Sequence, residues 1–210
     1  MKFSLNALNE SLANARKYKN LIVGFSGGLD SSVLLHGVLA LAKKGLLQSQ
    51  IKAMHVNHRQ NSACNDWELF CNQVCAKYGV HLDVKVIEDF NHQSRNINEN
   101  LLRQARYQAF SSAIDAENGL LLAHHKDDQL ETLLLRLNRG AGIKGLSAMQ
   151  KSRTIGAGHI YRPLLDFGRN SLEEFAKSEG LDWIEDSSNK DTYVDRNFLR
   201  HEILPRIESR

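Results

Sequence analysis

Two prolines, three cysteines and no long apolar run set the first limits on this 210-residue chain. Pro163 and Pro205 are widely separated, so no proline-rich linker divides the sequence, and its length suits a single domain. Cys64, Cys71 and Cys75 are odd in number and contain no Cys-x-x-Cys pair. That excludes a disulfide framework and a zinc knuckle, and a cytoplasmic location is expected. The longest mainly apolar stretch, residues 32–42, is interrupted by His36 and falls well short of the ~20 residues that span a bilayer. The opening Met1-Lys2-Phe3-Ser4-Leu5-Asn6 lacks the sustained apolar core of a secretory signal. Acidic residues are missing from residues 136–162, where six basic ones occur (Arg136, Arg139, Lys144, Lys151, Arg153 and Arg162). Over the whole chain charge is nearly balanced, 27 Lys and Arg against 24 Asp and Glu. A local basic excess suits a polyanion, and equally a solvated loop balanced by acids elsewhere in the fold.

What is present is an ordinary globular composition, 42% hydrophobic with 14 glycines. Apolar runs and helical stripes alternate along it. Residues 21–25, 51–56, 80–87 and 120–123 read as strands. Between and after them, residues 30–44, 62–78, 98–117 and 127–138 read as helices, the last with Leu130, Leu133, Leu134 and Leu137 on one face. The repeated β-α unit predicts an α/β fold, a parallel twisted sheet with helices on both faces. Beyond Gly140 the pattern loosens. Strands are expected within 154–160, and a helix from Ser171 to Lys177 opened by a Ser171–Glu174 capping box. A short strand at 181–185, a polar loop at 186–195 and a helix at 196–208 interrupted by Pro205 complete the expectation.

Ligands in open α/β sheets bind beyond the carboxyl ends of the strands. The first strand is followed by Ser26-Gly27-Gly28-Leu29-Asp30-Ser31-Ser32. Two glycines let the backbone approach a ligand, three serines offer hydroxyls, and the next helix aims its free N–H groups at the same place. This reads as a phosphate cradle, although it matches neither the Walker A spacing nor Gly-x-Gly-x-x-Gly. A plain tight turn capped by Asp30 or Ser31 would use the same residues. The second strand ends in His55-Val56-Asn57-His58 and the fourth in His124-His125-Lys126-Asp127-Asp128. Asp128 with Glu131 would make a capping box. Alternatively, two carboxylates beside a phosphate call for a cation, and Mg²⁺ is held this way, with Asp30 as a third candidate ligand. Arg103 and Arg106 share a helix face and could meet an anion or simply water. The three cysteines, Trp67 and Trp183 read as core.

The string from Ser26 to Ser31 resembles the Ser-Gly-Gly-x-Asp-Ser loop of the N-type ATP pyrophosphatases (the PP-loop superfamily). The other motifs resemble, in order and over nearly the whole chain, the tRNA(Ile)-lysidine synthetase family. They are His55-Val56-Asn57-His58, Glu99…Arg103…Arg106-Tyr107, His124 through Thr132, Arg139-Gly140-Ala141-Gly142, Arg162-Pro163-Leu164-Leu165, Trp183 through Asn189, and Arg196-Asn197…Arg200…Leu204-Pro205. Leu102 departs from the small residue common in that family, a packing difference. The resemblance implies a Rossmann-like ATP pyrophosphatase catalytic domain over residues 1–210, with an extension from about residue 186 leading toward a tRNA-binding domain.

The implied reaction is adenylation by ATP of C2 of the wobble cytidine in the CAU anticodon of isoleucine tRNA. The ε-amine of L-lysine then displaces AMP to give lysidine. The implied roles are ATP binding by Ser26, Gly27, Gly28, Leu29, Asp30, Ser31, Ser32 and His55, and Mg²⁺ binding by Asp30 and Asp127. Catalysis falls to Asp127, Asp128, Arg103 and Arg106, lysine binding to Glu131, and tRNA binding to Lys144, Lys151, Arg153, Arg196 and Arg200. A PP-loop tRNA-thiolation enzyme is the alternative within the superfamily, but it would need Cys-x-x-Cys cysteines. A non-catalytic nucleotide-binding module is the other, and it would lack the acids after the fourth strand.

Overall fold

A computed structural model describes residues 1–59, 63–87, 99–142, 145–186 and 195–208. The apolar run after Lys19 becomes β1 (Asn20–Gly24), whose alternating side chains feed both faces of the sheet. Leu21 and Val23 join a core with Val33, Leu34, Val38, Leu41, Cys71 and Leu172, while Ile22 packs with Met54, Phe110, Ile114, Leu120 and Ile160 on the opposite side. Strand β1 pairs in parallel with β2 (Gln50–Asn57) on one side and β4 (Asn118–Leu121) on the other. β3 (Leu82–Val86) extends the sheet beyond β2, and β6 (Gly158–Tyr161) extends it beyond β4, both in parallel. The edge strand β5 (Ser152–Ile155) is antiparallel to β6, giving the order β3-β2-β1-β4-β6-β5 among the described residues.

The first core contains residues of α1 (Leu5–Ser11), α2 (Leu29–Lys43), α3 (Ala63–Tyr78) and α6 (Arg169–Ser178). The second contains Phe110 of α4 (Glu99–Ala113). The expected parallel sheet with helices on both faces is therefore present. All three cysteines are buried. Trp183 packs partly buried against the first core, and Trp67 is only half-buried.

Local departures have physical causes. Helix α4 stops four residues before the expected end because Asp115 Oδ1 accepts the Glu117 N–H (2.8 Å) in a turn into β4. Helix α6 begins at Arg169 with Gly168 as its N-cap, so the Ser171–Glu174 box does not form; Ser171 Oγ instead donates to the Gly168 carbonyl (2.9 Å). Residues 181–186 form no strand. There the Ile184 N–H donates to the Gly27 carbonyl (2.9 Å). Near the C-terminal end, α7 (Asp195–Phe198) runs through a π turn (Leu199–Ile203) into α8 (Leu204–Glu208). Pro205 sits in the first turn of α8, after this widened turn, where a missing N–H costs least. Helix α5 (Lys126–Asn138) lies against α7 and the π turn.

Candidate active site

From β1 the chain crosses to β2 on one side, while β4 flanks β1 on the other. Their carboxyl ends thus border a topological switch point, the place where open sheets bind ligands. The loop after β1 is closed upon itself by serines. Ser31 Oγ accepts the Ser26 N–H (3.3 Å), lies 3.1 Å from Ser26 Oγ and donates to the Gly28 carbonyl (3.0 Å). Gly27 has φ +81°, and a Cβ there would lie 3.1 Å from Phe70 Cδ1 and 3.2 Å from Cys71 Sγ. Gly28, the N-cap of α2, has no side-chain cap, and a Cβ there would meet nothing closer than 3.6 Å. The loop is thus packed tightly behind Gly27 and open in front of Gly28, where the N-terminus of α2 points. Gly27→Ala is expected to cost about 1–2 kcal/mol from the left-handed backbone alone and to weaken phosphate binding. Thermal melting and pyrophosphate titration check this; unchanged values in both would show that the turn tolerates a Cβ.

Ser31 is consumed within the loop, and Ser32 lines a cavity of about 150 Å³ with Phe70, Val74 and Tyr78. Of the three hydroxyls expected to face a ligand, Ser26 sits beside the open N-cap. His55 is buried, with Nδ1 2.9 Å from the Phe25 carbonyl and 3.5 Å from Cys71 Sγ. Burial holds its pKa below the ordinary imidazole value. Bonded to the residue that leads into the loop, it buttresses the turn from beneath.

Asp30 is the acid closest to the loop. Its Oδ2 lies 3.6 Å from His125 Nε2, and its Oδ1 is buried without a hydrogen-bond partner. Asp128 Oδ2 is also 3.6 Å from His125 Nε2. His125 itself caps α5. Its Nδ1 accepts the Asp127 N–H (3.2 Å), and its backbone N–H donates to Asp128 Oδ2 (2.9 Å). The capping box is therefore His125 with Asp128, not Asp128 with Glu131. Because Nδ1 accepts, the neutral ring carries its proton on Nε2, between the two carboxylates. Burial pushes the Asp30 carboxyl upward, outweighing His125. Against the upward push of burial, His125, His124 and Arg196 hold Asp128 below the ordinary value.

Asp127 faces another way. Its Oδ2 accepts the N–H of Arg169 (3.4 Å) at the start of α6. Glu131 is fully buried, and each carboxylate oxygen accepts one Nε, Arg196 at 2.7 Å and Arg200 at 2.6 Å. The same two arginines lie 3.5 and 3.6 Å from Asp128 Oδ1. Arg103 and Arg106 diverge. Arg106 Nε meets His58 Nε2 at 3.4 Å, whereas the Arg103 guanidinium lies over Tyr107, 5.6 Å from the ring centre. His58 is pushed down to about 4, by burial and then by Arg106. Lys151 pairs with Asp166 (2.6 Å), and Arg153 lies over Tyr107 at 4.6 Å. Lys144 lies outside the described residues.

Sequence reasoning left several site residues without a role. His125 was visible as a histidine beside the acids, but its cap has no propensity signal. Arg162 was visible in a basic stretch and in the Arg162-Pro163-Leu164-Leu165 motif but was given no role, and Arg169 carried no signal. Among the described residues no group of three or more His, Cys, Asp and Glu side chains forms a metal cage. Asp30 and Asp128 could still hold a cation that takes its other ligands from phosphate and water. The partnerless Asp30 Oδ1 fits that use.

The PP-loop domain family matches residues 2–207. A tRNA(Ile)-lysidine synthase of Legionella pneumophila (strain Paris) is 46% identical over 196 residues, covering 93% of this chain and 44% of the relative. A protein of the same name from Yersinia pseudotuberculosis serotype O:1b (strain IP 31758) is 42% identical over 203 residues, covering 97% of this chain and 45% of the relative. The chain thus spans less than half the length of the curated relatives it matches. Among solved structures, the U34-tRNA thiolase NcsA from Methanococcus maripaludis with its [4Fe-4S] cluster superposes with a TM-score of 0.71 at 15% identity, over 93% of this chain and 75% of that one, a likeness of fold. A serine-closed glycine turn at a parallel switch point, in a chain matched almost end to end, leaves no other assignment: the chain belongs to the PP-loop domain family.

Proposed function

We propose that this chain carries the catalytic site of a tRNA(Ile)-lysidine synthetase, joining L-lysine to C2 of the wobble cytidine of isoleucine tRNA with consumption of ATP. One observation carries the reading. The open N-terminus of α2 faces the same switch point as Asp30 and Asp128, whose Oδ2 atoms each lie 3.6 Å from His125 Nε2. The names of the relatives support it.

In this reading the 26–32 loop receives the β- and γ-phosphates through backbone N–H groups. Asp30 and Asp128 would hold Mg²⁺, which when bound neutralises charge developing on the leaving pyrophosphate. The cytidine O2 attacks the α-phosphorus and pyrophosphate departs. Arg106, beside the end of β2, stabilises the α-phosphoryl charge. The lysine ε-amine then adds at C2 and AMP leaves. Asp127 has one long backbone contact and takes the proton shed by that amine. Both Glu131 oxygens are engaged by arginines, so we assign the lysine ammonium to Asp127 rather than to Glu131. Use of ATP and tRNA places the reaction in the cytoplasm. Among the described residues no helix is long and apolar enough to cross a membrane.

The thiolation alternative is disfavoured by the cysteines. Burial pushes Cys71 up to about 12 and Cys75 to about 11, so neither is a ready thiolate. Incubation with ATP, labelled lysine and unmodified isoleucine tRNA should yield labelled lysidine on nucleoside analysis; its absence while pyrophosphate is released would refute the reading. Asp127→Asn keeps an acceptor for the Arg169 N–H, so its stability should change little, whereas Asp128→Asn keeps the acceptor for the His125 N–H but removes the charge facing Arg196 and Arg200 and should melt lower at neutral pH. Each should lower the ligation rate on the order of 100-fold. Near-normal rates in both would return these acids to a purely capping role.

A further inference from the structure

Tyr107 lies half-buried on α4, and three arginines from separate parts of the chain converge on it. Arg103 and Arg153 place their guanidinium groups over its ring at 5.6 and 4.6 Å, and Arg162 donates from Nη2 to its hydroxyl at 3.3 Å. Among the described residues, no carboxylate pairs with any of the three. Nearby Lys151, by contrast, is matched by Asp166. Arg162 is the telling member. It is 4% exposed, it spends Nη1 on the Gln150 carbonyl (2.8 Å), and its Nε is buried with no partner. Carbonyl and phenol oxygens satisfy hydrogens but do not neutralise a charge, and an unpaired buried cation is costly unless an anion completes it.

The surroundings sharpen this. His124 Nδ1 is also buried without a partner. Burial drives its pKa down; Asp128 opposes this, and Arg162, Arg196 and Arg103 add to it, so the ring stays neutral and supplies no further cation. Burial raises the Tyr107 phenol, yet the Arg162 hydrogen bond and the charges of Arg162, Arg103 and Arg153 carry it below its ordinary value. The field at this spot is therefore strongly positive.

Position separates this spot from the phosphate loop. Arg162 follows β6, two strands from β1, and Arg153 lies on β5, a third strand away. At ~4.8 Å per strand these lie roughly 10 and 14 Å from the line of β1. Arg153 and Arg103 are exposed, so the anion comes from the solvent side. We propose that Arg103, Arg153 and Arg162, gathered round Tyr107, form a second phosphate site that takes a backbone phosphodiester of the RNA substrate. The proposal rests on the reading above for the identity of that RNA. Arg162 and Tyr107 set the geometry, and the exposed pair makes the contact and sets its salt dependence. Arg103, assigned to catalysis by family resemblance, belongs here instead.

The test measures binding of unmodified isoleucine tRNA to the 210-residue chain across a salt series, without ATP, for the wild type and the double variant Arg103→Ala/Arg153→Ala. ATP binding and lysidine formation are measured on the same proteins. The double variant should bind RNA at least about tenfold more weakly, with the log–log salt slope reduced by about 1.4–1.8 for two lost phosphate contacts, and should keep its ATP affinity. Tyr107→Phe, which retains the ring and removes the hydroxyl held by Arg162, should weaken RNA binding less without changing the slope. Unchanged RNA affinity and slope in the double variant would overturn the site. So would a loss of ATP affinity with RNA binding intact, which would assign the phosphate to the nucleotide. RNA binding that depends on the cluster in a chain forming no lysidine would sink the ligation reading and leave the site standing. Lysidine formation with full RNA affinity in the double variant would do the reverse.

Discussion

Asp30→Asn is expected to abolish pyrophosphate release, by about 1,000-fold or more, and at the same time to raise the melting temperature at neutral pH. The loss follows from the position of the carboxylate at the mouth of the phosphate loop with Oδ1 enclosed and partnerless. A carboxylate that holds the cation on a leaving pyrophosphate contributes several kcal/mol to the transition state, and each ~1.4 kcal/mol is tenfold in rate. The gain in stability follows from the raised pKa, caused first by burial. For an acid whose folded pKa lies above its unfolded value, the charged form is disfavoured by folding. Asp30 therefore lowers stability once the pH exceeds the ordinary carboxylate value, and the penalty is complete above its raised folded pKa. The neutral amide removes the penalty, so the advantage of the variant should vanish in acid. Rates and melting curves at pH 3.5 and 7 decide the matter. A variant that turns over normally, or melts lower at pH 7, would remove Asp30 from the role given to it.

The largest expected effect on stability is at Glu131. This carboxylate is fully buried, while Arg196 and Arg200, which hold it, are 20% and 26% exposed. Glu131→Ala removes the carboxylate that both guanidinium groups grip through Nε, while Asp128 Oδ1 stays 3.5 and 3.6 Å away. Removing one partner of a buried ion pair costs about 3–5 kcal/mol, and the partial exposure of the arginines favours the lower end. At this chain length about 3 kcal/mol corresponds to a fall of roughly 6–12 °C in melting temperature. The segment from Asp195 to Glu208 should also become the first target of limited proteolysis. A fall of less than 2 °C would show that α7 is held by something else.

That cluster also shows where sequence reading stops. The β-α alternation was legible because burial on both faces leaves unbroken apolar runs such as Leu21-Ile22-Val23, and because Gly45 and Gly79 punctuate the helices. The phosphate loop was legible because its function needs adjacent glycines and hydroxyls in one short string. Glu131 was legible as an acid near other acids, a capping-box partner of Asp128 and, by family resemblance, a lysine ligand, but not as the centre of an ion-pair cluster. Its two partners lie 65 and 69 residues further along, and nothing local marks a pairing of that range. The four-residue spacing of Arg196 and Arg200 was visible and placed them on one helix face, but whether that face met RNA or a buried carboxylate depends on tertiary packing. The strand expected at 181–185 failed for a related reason. Its apolar residues cover the first core from outside the sheet, where no neighbouring strand among the described residues offers a ladder.

The serine closure of the phosphate loop has a consequence for timing. Its hydroxyl and amide bonds run between the turn's own residues, so none of them needs a ligand as partner. No search through loop conformations precedes capture, and ordering the turn takes nothing from the affinity. Association with a phosphate is then a docking event governed by encounter. Differences in affinity among ligands at this turn are carried by how long each one stays.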